Sequence, residues 1–276
     1  MKTKKKLAVI QMASGPNVTA NLLEAERLIQ AATEQGAGLV VLPENFAFKG
    51  KRDSELLALR EHPGAGPLQD FLARVAARLG IWLVGGTIPL FADDPERLRG
   101  ACLVYDAHGA LVGRYDKIHL FDVKVPGSDE RYEESATIEP GDQILVVDSP
   151  FGRLGIAVCY DLRFPETFRC MLDDGMELLA IPSSFTAITG KAHWETLVRA
   201  RAIENLAFVV AAAQGGYHMD GRETHGHSMI VDPWGSVLAQ VPRGAGFVCA
   251  PVDDDMRASV RRNFPSIYNR RLKCGR

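Results

Sequence analysis

Apolar and polar positions along this chain follow two periods, and the switches between them outline an α/β protein. Residues 7–12 are almost continuously apolar, as a strand buried on both faces requires. From about Asn17 the apolar positions become Leu22, Ala25, Ile29 and Ala32, a helical spacing that stops before Gly36, and the strand "LVVLPE" follows. Pro67, a favoured first-turn residue, opens a second helix that carries Leu68, Phe71, Leu72, Val75 and Leu79 on one side until Gly80. The strand "IWLVGG" comes next.

Two hairpins then stand out: "CLVYDAHGALVGRY", turning at residues 106–109, and "ILVVDSPFGRLGIAVC", turning at residues 149–152. Between them, residues 117–142 form a polar segment bearing Pro and Gly, and so long a loop in a compact domain is usually functional. The second half repeats the theme. A helix after Pro165, the strand "LLAIPSS", a helix around residues 193–205 and the strand "FVVAAA" lead to strands near "HSMIVD", "SVLAQV" and "FVCAPV". Nearly continuous apolar strands must be covered on both faces, so the pattern predicts two mixed sheets flanked by helices, in a single domain over residues 1–276.

With 276 residues and 46% hydrophobic positions, the chain can bury a full core. A net charge of -2 and no long basic run beyond the first six residues leave no electrostatic footprint for nucleic acid, so a small-molecule or peptide-like substrate is expected. The apolar stretch behind the basic head is too short for a signal peptide. No stretch reaches the ~18 apolar residues of a membrane span, so a cytoplasmic protein without membrane partners is expected. Cys102, Cys159, Cys170, Cys249 and Cys274 are an odd set without CxxC spacing, which argues for reduced thiols over a disulfide framework or a cysteine zinc site.

Three reactive side chains stand just beyond apolar strands: Glu44 after "LVVLP", Lys117 after "LVGRYD" and Cys159 after "IAV". In α/β folds reactive groups gather where strands end, so the three could share one cleft. Their chemistry suits splitting an amide: a thiol attacks the carbonyl, a carboxylate takes its proton and an ammonium holds the oxyanion. Each also has a plain structural reading. Cys159 could be a packed strand-end residue, Glu44 a helix cap and Lys117 a surface charge.

The segments "LPENF", "YDKIHLFD" and "AVCYDLRFPE" resemble, in order, the Glu-Lys-Cys signatures of the nitrilase, or carbon-nitrogen hydrolase, superfamily. "HLFDVKVPG", "SSFTAITGKAHWETLVRARAIE" and "GHSMIVDPWG" look like its Nit1/Nit2 branch, most like the deaminated glutathione amidases. The resemblance implies a four-layer αββα sandwich, a homodimer or higher homo-oligomer, and no cofactor. It implies that Glu44 is the base, Lys117 the oxyanion partner and Cys159 the nucleophile. A second glutamate matches Glu134, although Glu133 is adjacent. The implied reaction hydrolyses deaminated glutathione to 2-oxoglutarate and cysteinylglycine through a thioester; the alternative is an ω-amidase acting on 2-oxoglutaramate or succinamate.

For substrate binding the expected residues are Tyr160, Arg163, Ser183, Ser184 and Phe185. Arg163 could grip a carboxylate or pair internally with Asp161 or Glu166; Ser183, Ser184 and Phe185 could edge the pocket or form an ordinary strand-to-loop turn. His218, His225 and His227, with Asp220, fit no common catalytic zinc spacing, so no metal is expected. His193 and Trp194 suit capping and packing as well as substrate contact. A non-catalytic binding protein, a redox-sensing thiol, and a Cys-His enzyme using His119 or His193 are the rival readings.

Overall fold

The computed structural model describes residues 5–219 and 221–272; Asp220 and Cys274 lie outside them. In chain order the first half runs β1 (Lys6–Gln11), α1 (Val18–Glu34), β2 (Ala37–Val41), α2 (Pro67–Leu79), β3 (Trp82–Val84), β4 (Ile88–Phe91), β5 (Leu98–Tyr105) and β6 (Leu111–Asp116). The segment after it carries a small hairpin, β7 (Asp122–Lys124) and β8 (Arg131–Glu133). The second half runs β9 (Leu145–Val147), β10 (Leu154–Ile156), α3 (Pro165–Asp173), β11 (Leu178–Ser183), α4 (Ala187–Asn205) and β12 (Phe208–Ala213). A second hairpin, β13 (Gly215–Tyr217) and β14 (Glu223–His225), precedes β15 (Met229–Val231), β16 (Val237–Gln240), β17 (Gly246–Pro251) and α5 (Asp254–Asn263).

Two mixed sheets result. One has the order β17-β1-β2-β3-β5-β4, with β6 also on β5; the other has the order β16-β15-β12-β11-β10-β9. Each is built around parallel strands joined by helices: β1, β2 and β3 through α1 and α2, and β10, β11 and β12 through α3 and α4.

Strand alternation decides what each face covers. Leu7 and Val9 of β1 join a core with Ile156, Leu179 and Val210 of the other sheet, whereas Ala8 and Ile10 pack with Ala25 and Ile29 of α1 and with Val75 of α2. The outer face of the second sheet is closed by Phe168 and Met171 of α3 and by Trp194 and Val198 of α4. Helices therefore cover both outer faces and the sheets meet in the middle, which is the expected αββα sandwich.

The differences from the sequence pattern are local. Helix α4 begins at Ala187, six residues before the predicted start, because Thr186 caps it by accepting from the Thr189 N–H. Gly190, a weak helix former, masks that first turn in the sequence; its missing Cβ leaves room for His225, whose own Cβ would otherwise lie 2.2 Å away. Helix α5 has no apolar stripe to announce it. It opens on an Asp253 cap and docks through Arg257, which pairs with Glu177 and Asp254.

Candidate active site

Glu44 and Cys159 sit at equivalent places in the two sheets, just past the C-terminal ends of the parallel strands β2 and β10. The Glu44 loop tucks against Gly86, where a Cβ would lie 2.2 Å from the Pro43 carbonyl oxygen; Gly86 also has φ 61°, which glycine adopts without strain. From the second sheet, Gln214 donates to the Glu44 carbonyl at 3.0 Å.

Cys159 opens a short 3₁₀ turn, Cys159–Arg163, with φ 48°. A left-handed non-glycine residue costs about 1–2 kcal/mol, and here it lifts the side chain out of the strand direction toward a cavity. The turn is fixed by Asp161, which is fully buried. Its carboxylate accepts from the Val158 N–H at 2.8 Å, the Tyr115 hydroxyl at 2.7 Å and the His119 N–H at 3.0 Å, and its Oδ1 lies 2.7 Å from His119 Nδ1. One carboxylate thus ties the Cys159 turn to both sides of Lys117. The His119 ring is covered by Phe164, centroids 3.7 Å apart.

Lys117 is 2% exposed. Its ammonium donates to Glu44 Oε1 at 2.8 Å and to both Glu134 oxygens at 2.7 and 2.8 Å. Burial pulls this amine down, but the Glu134 and Glu44 carboxylates outweigh it and hold it well above its ordinary range. Glu134 starts the 3₁₀ turn Glu134–Ala136 and also accepts the Phe121 N–H at 2.6 Å. Burial raises its carboxyl, against the pull of Lys117 and with a further push from Glu44. The adjacent Glu133 pairs instead with Arg131.

The Cys159 thiol is pushed well above its ordinary range, by burial first and by Glu44 second; Lys117 and the Ser184 N–H act in the opposite direction. Its sulfur accepts from that N–H at 3.4 Å.

Glu44, Lys117, Glu134 and Cys159 share the floor of a cavity of ≈ 930 Å³, counted out to its open mouth. Tyr160, Arg163, Ser184 and Phe185 line it. Ser183 does not: it is fully buried, with its hydroxyl near the Ile181 carbonyl, because successive residues of β11 point to opposite faces. Asp161 is committed to Tyr115, Val158 and His119, so the suggested pairing with Arg163 does not form. The Arg163 guanidinium instead lies 3.1 Å from His193 Nδ1 and over the Phe185 and Tyr160 rings.

The hairpins β7–β8 and β13–β14 reach the mouth of the cavity, where Arg222 lies over the Tyr132 ring, 4.5 Å from its centroid. Among the described residues no group of three or more His, Cys, Asp or Glu is placed to hold a metal ion. His218 faces the Ser14 carbonyl and the Thr224 hydroxyl, and the His225 and His227 rings stack at 4.4 Å. The other described cysteines stand apart from the cavity lining: Cys102 is buried, and Cys170 and Cys249 are partly exposed.

A strand-end thiol, a carboxylate and a paired ammonium at one cavity are the groups that hydrolysis of a C–N bond through a thioester requires. The carbon-nitrogen hydrolase family profile matches residues 6–262, and the chain belongs to that family, within the nitrilase superfamily. It is 42% identical to the deaminated glutathione amidase of Synechocystis over 95% of this chain and 97% of the relative. The fold superimposes on the C. elegans NitFhit protein with a TM-score of 0.88 and 38% identity, covering 98% of this chain and 66% of that one. It matches Nit3 of Saccharomyces cerevisiae, a member of branch 10 of the nitrilase superfamily, with a TM-score of 0.87 and 29% identity, covering 98% and 97%.

Sequence reasoning offered Asp161 only as a possible partner of Arg163 and missed its place under the Cys159 turn, because its partners Tyr115 and His119 are distant in the chain. Only the run "YDLR", an acid two residues after the thiol, carried a signal for Asp161.

Proposed function

We propose that the protein is an amidase with Cys159 as nucleophile, Glu44 as acid and base, and Lys117 as oxyanion partner, positioned by Glu134. The observation that carries this reading is the Lys117 ammonium, clamped at 2.7–2.8 Å between two carboxylates on the cavity floor that also holds the thiol.

In the first half-reaction Cys159 Sγ attacks the amide carbonyl carbon as Glu44 takes the thiol proton. The developing oxyanion is met by Lys117 Nζ and a backbone N–H near Tyr160. Collapse of the intermediate breaks the C–N bond, and Glu44 passes its proton to the departing amine, leaving a thioester. In the second half-reaction Glu44 takes a proton from water, the hydroxide adds to the thioester, and the acid leaves as the proton returns to sulfur.

The substrate we assign is deaminated glutathione, cleaved to 2-oxoglutarate and cysteinylglycine. The name of the Synechocystis relative and its coverage of almost the whole chain support this. We further propose a homo-oligomer: Trp234 and Phe264 meet edge-on while both are half exposed, with exposed Ile203 packed at Gly235. A cytoplasmic setting completes the reading, in keeping with the unpaired thiols of Cys102, Cys159 and Cys249 and with no described helix long and apolar enough to cross a membrane.

The test is mass spectrometry of the products after incubating the protein and its Cys159→Ala variant with deaminated glutathione and with 2-oxoglutaramate. Release of cysteinylglycine that outpaces release of ammonia, and that is lost in the variant, is the expected result. Faster ammonia release from 2-oxoglutaramate would move the substrate to that of an ω-amidase. Undiminished turnover in the variant would overturn the mechanism.

A further inference from the structure

Two cations that line the cavity have no carboxylate partner among the described residues. Lys49, half-buried beyond the Glu44 loop, donates from Nζ to the Ser184 hydroxyl at 2.8 Å; among the described residues its ammonium has no carboxylate within ion-pair range. Arg163 is bonded to His193 and lies over Phe185, also with no acidic partner among the described residues. Glu223 lines the same cavity but is paired with Arg243.

Both free cations converge on the Ser184–Phe185 step, Lys49 through the hydroxyl of Ser184 and Arg163 through the ring of Phe185. That step is also the one whose N–H reaches Cys159 Sγ. The Lys49 ammonium is therefore a single serine away from the atom that would carry the acyl group. A cation drawn partly out of water and left without a counter-ion gains most when an anion arrives beside it.

We propose that Lys49 is a specificity-determining residue: with Arg163, it receives a carboxylate carried on the acyl part of the substrate. The site then prefers ω-amides of dicarboxylic acids over uncharged amides of the same length. This rests on the amidase reading above and adds to it the group that reads the acyl end. The Ser184 hydroxyl holds the ammonium in place until the carboxylate binds.

The experiment compares kcat/KM for glutaric acid monoamide, for pentanamide, which lacks the carboxylate, and for pentanoylglycine, which carries it on the leaving side. In Lys49→Met the ratio of glutaric acid monoamide to pentanamide falls about tenfold or more, the loss typical of a charge-assisted hydrogen bond, and Lys49→Arg restores most of it. An unchanged ratio, including a parallel fall for both amides, overturns the proposal. So does a selective loss on pentanoylglycine. Should the unaltered protein cleave none of these amides, the amidase reading still stands or falls on the products from deaminated glutathione, and calorimetry with glutarate decides the Lys49 assignment separately. Binding about tenfold weaker in Lys49→Met supports it, and equal binding overturns it.

Discussion

Cys102 and Cys159 are both enclosed by protein, and burial pushes both thiols well above their ordinary range. Cys102 lies inside β5, opposite Tyr115 of β6 and surrounded by core side chains. Cys159 lies past the end of β10, against Glu44 and Lys117, with the Ser184 N–H on its sulfur and a cavity above it. Burial alone gives an inert thiol in both places. What separates them is a proton acceptor within reach and an ammonium ready for the charge that attack creates. In this account Cys159 rests as a thiol and becomes a nucleophile only as its proton passes to Glu44.

The proton acceptor separates the two thiols most. Glu44→Gln keeps the shape but takes no proton, so kcat/KM in the product assay falls by about 10²–10⁴-fold. Lys117→Met removes an oxyanion partner, a loss of about 10²–10³-fold in kcat. It also leaves Glu44 and Glu134 facing each other without a cation, so thermal unfolding registers a destabilisation of about 3–5 kcal/mol.

Asp161→Asn tests what holds the two reactive segments together. It unpairs part of the Tyr115, Val158 and His119 cluster, so stability drops by about 1–3 kcal/mol. A misplaced Cys159 turn lowers kcat/KM by up to about 10²-fold. Smallest is Cys102→Ala, which trims a core side chain for about 1 kcal/mol of stability and leaves turnover near its original value.

Both raised thiols also shape the pH dependence of stability. The unfolded chain releases these protons above about pH 8.5, whereas the native protein still holds them. Their contribution is fully present below that pH and is lost as pH rises toward the native values. The melting temperature therefore falls above about pH 8.5, and replacing both Cys102 and Cys159 by Ala makes that fall shallower.

Much of this was legible in the sequence because Glu44, Lys117 and Cys159 each close an apolar run, and strand ends are where a sheet delivers side chains to a cleft. The sheet cores were equally plain in runs such as "LVVLP" and "FVVAAA". The rest depended on contacts between distant segments. Asp161 links residues more than forty positions apart, and Ser183, the last residue of β11, is buried while its neighbour Ser184 lines the cavity. Helix α5 holds its place with arginines rather than an apolar stripe, and Lys49 gains meaning only beside Ser184.

The central claim is that the acyl group passes through Cys159. Its most direct test is peptide-resolved mass spectrometry of protein mixed with deaminated glutathione and acid-quenched at intervals through the first turnover. The account predicts a 2-oxoglutaryl mass on the peptide carrying Cys159, and on no other, that appears before free 2-oxoglutarate. An acyl group on another residue, or a full turnover of product with Cys159 unmodified at every interval, would contradict it.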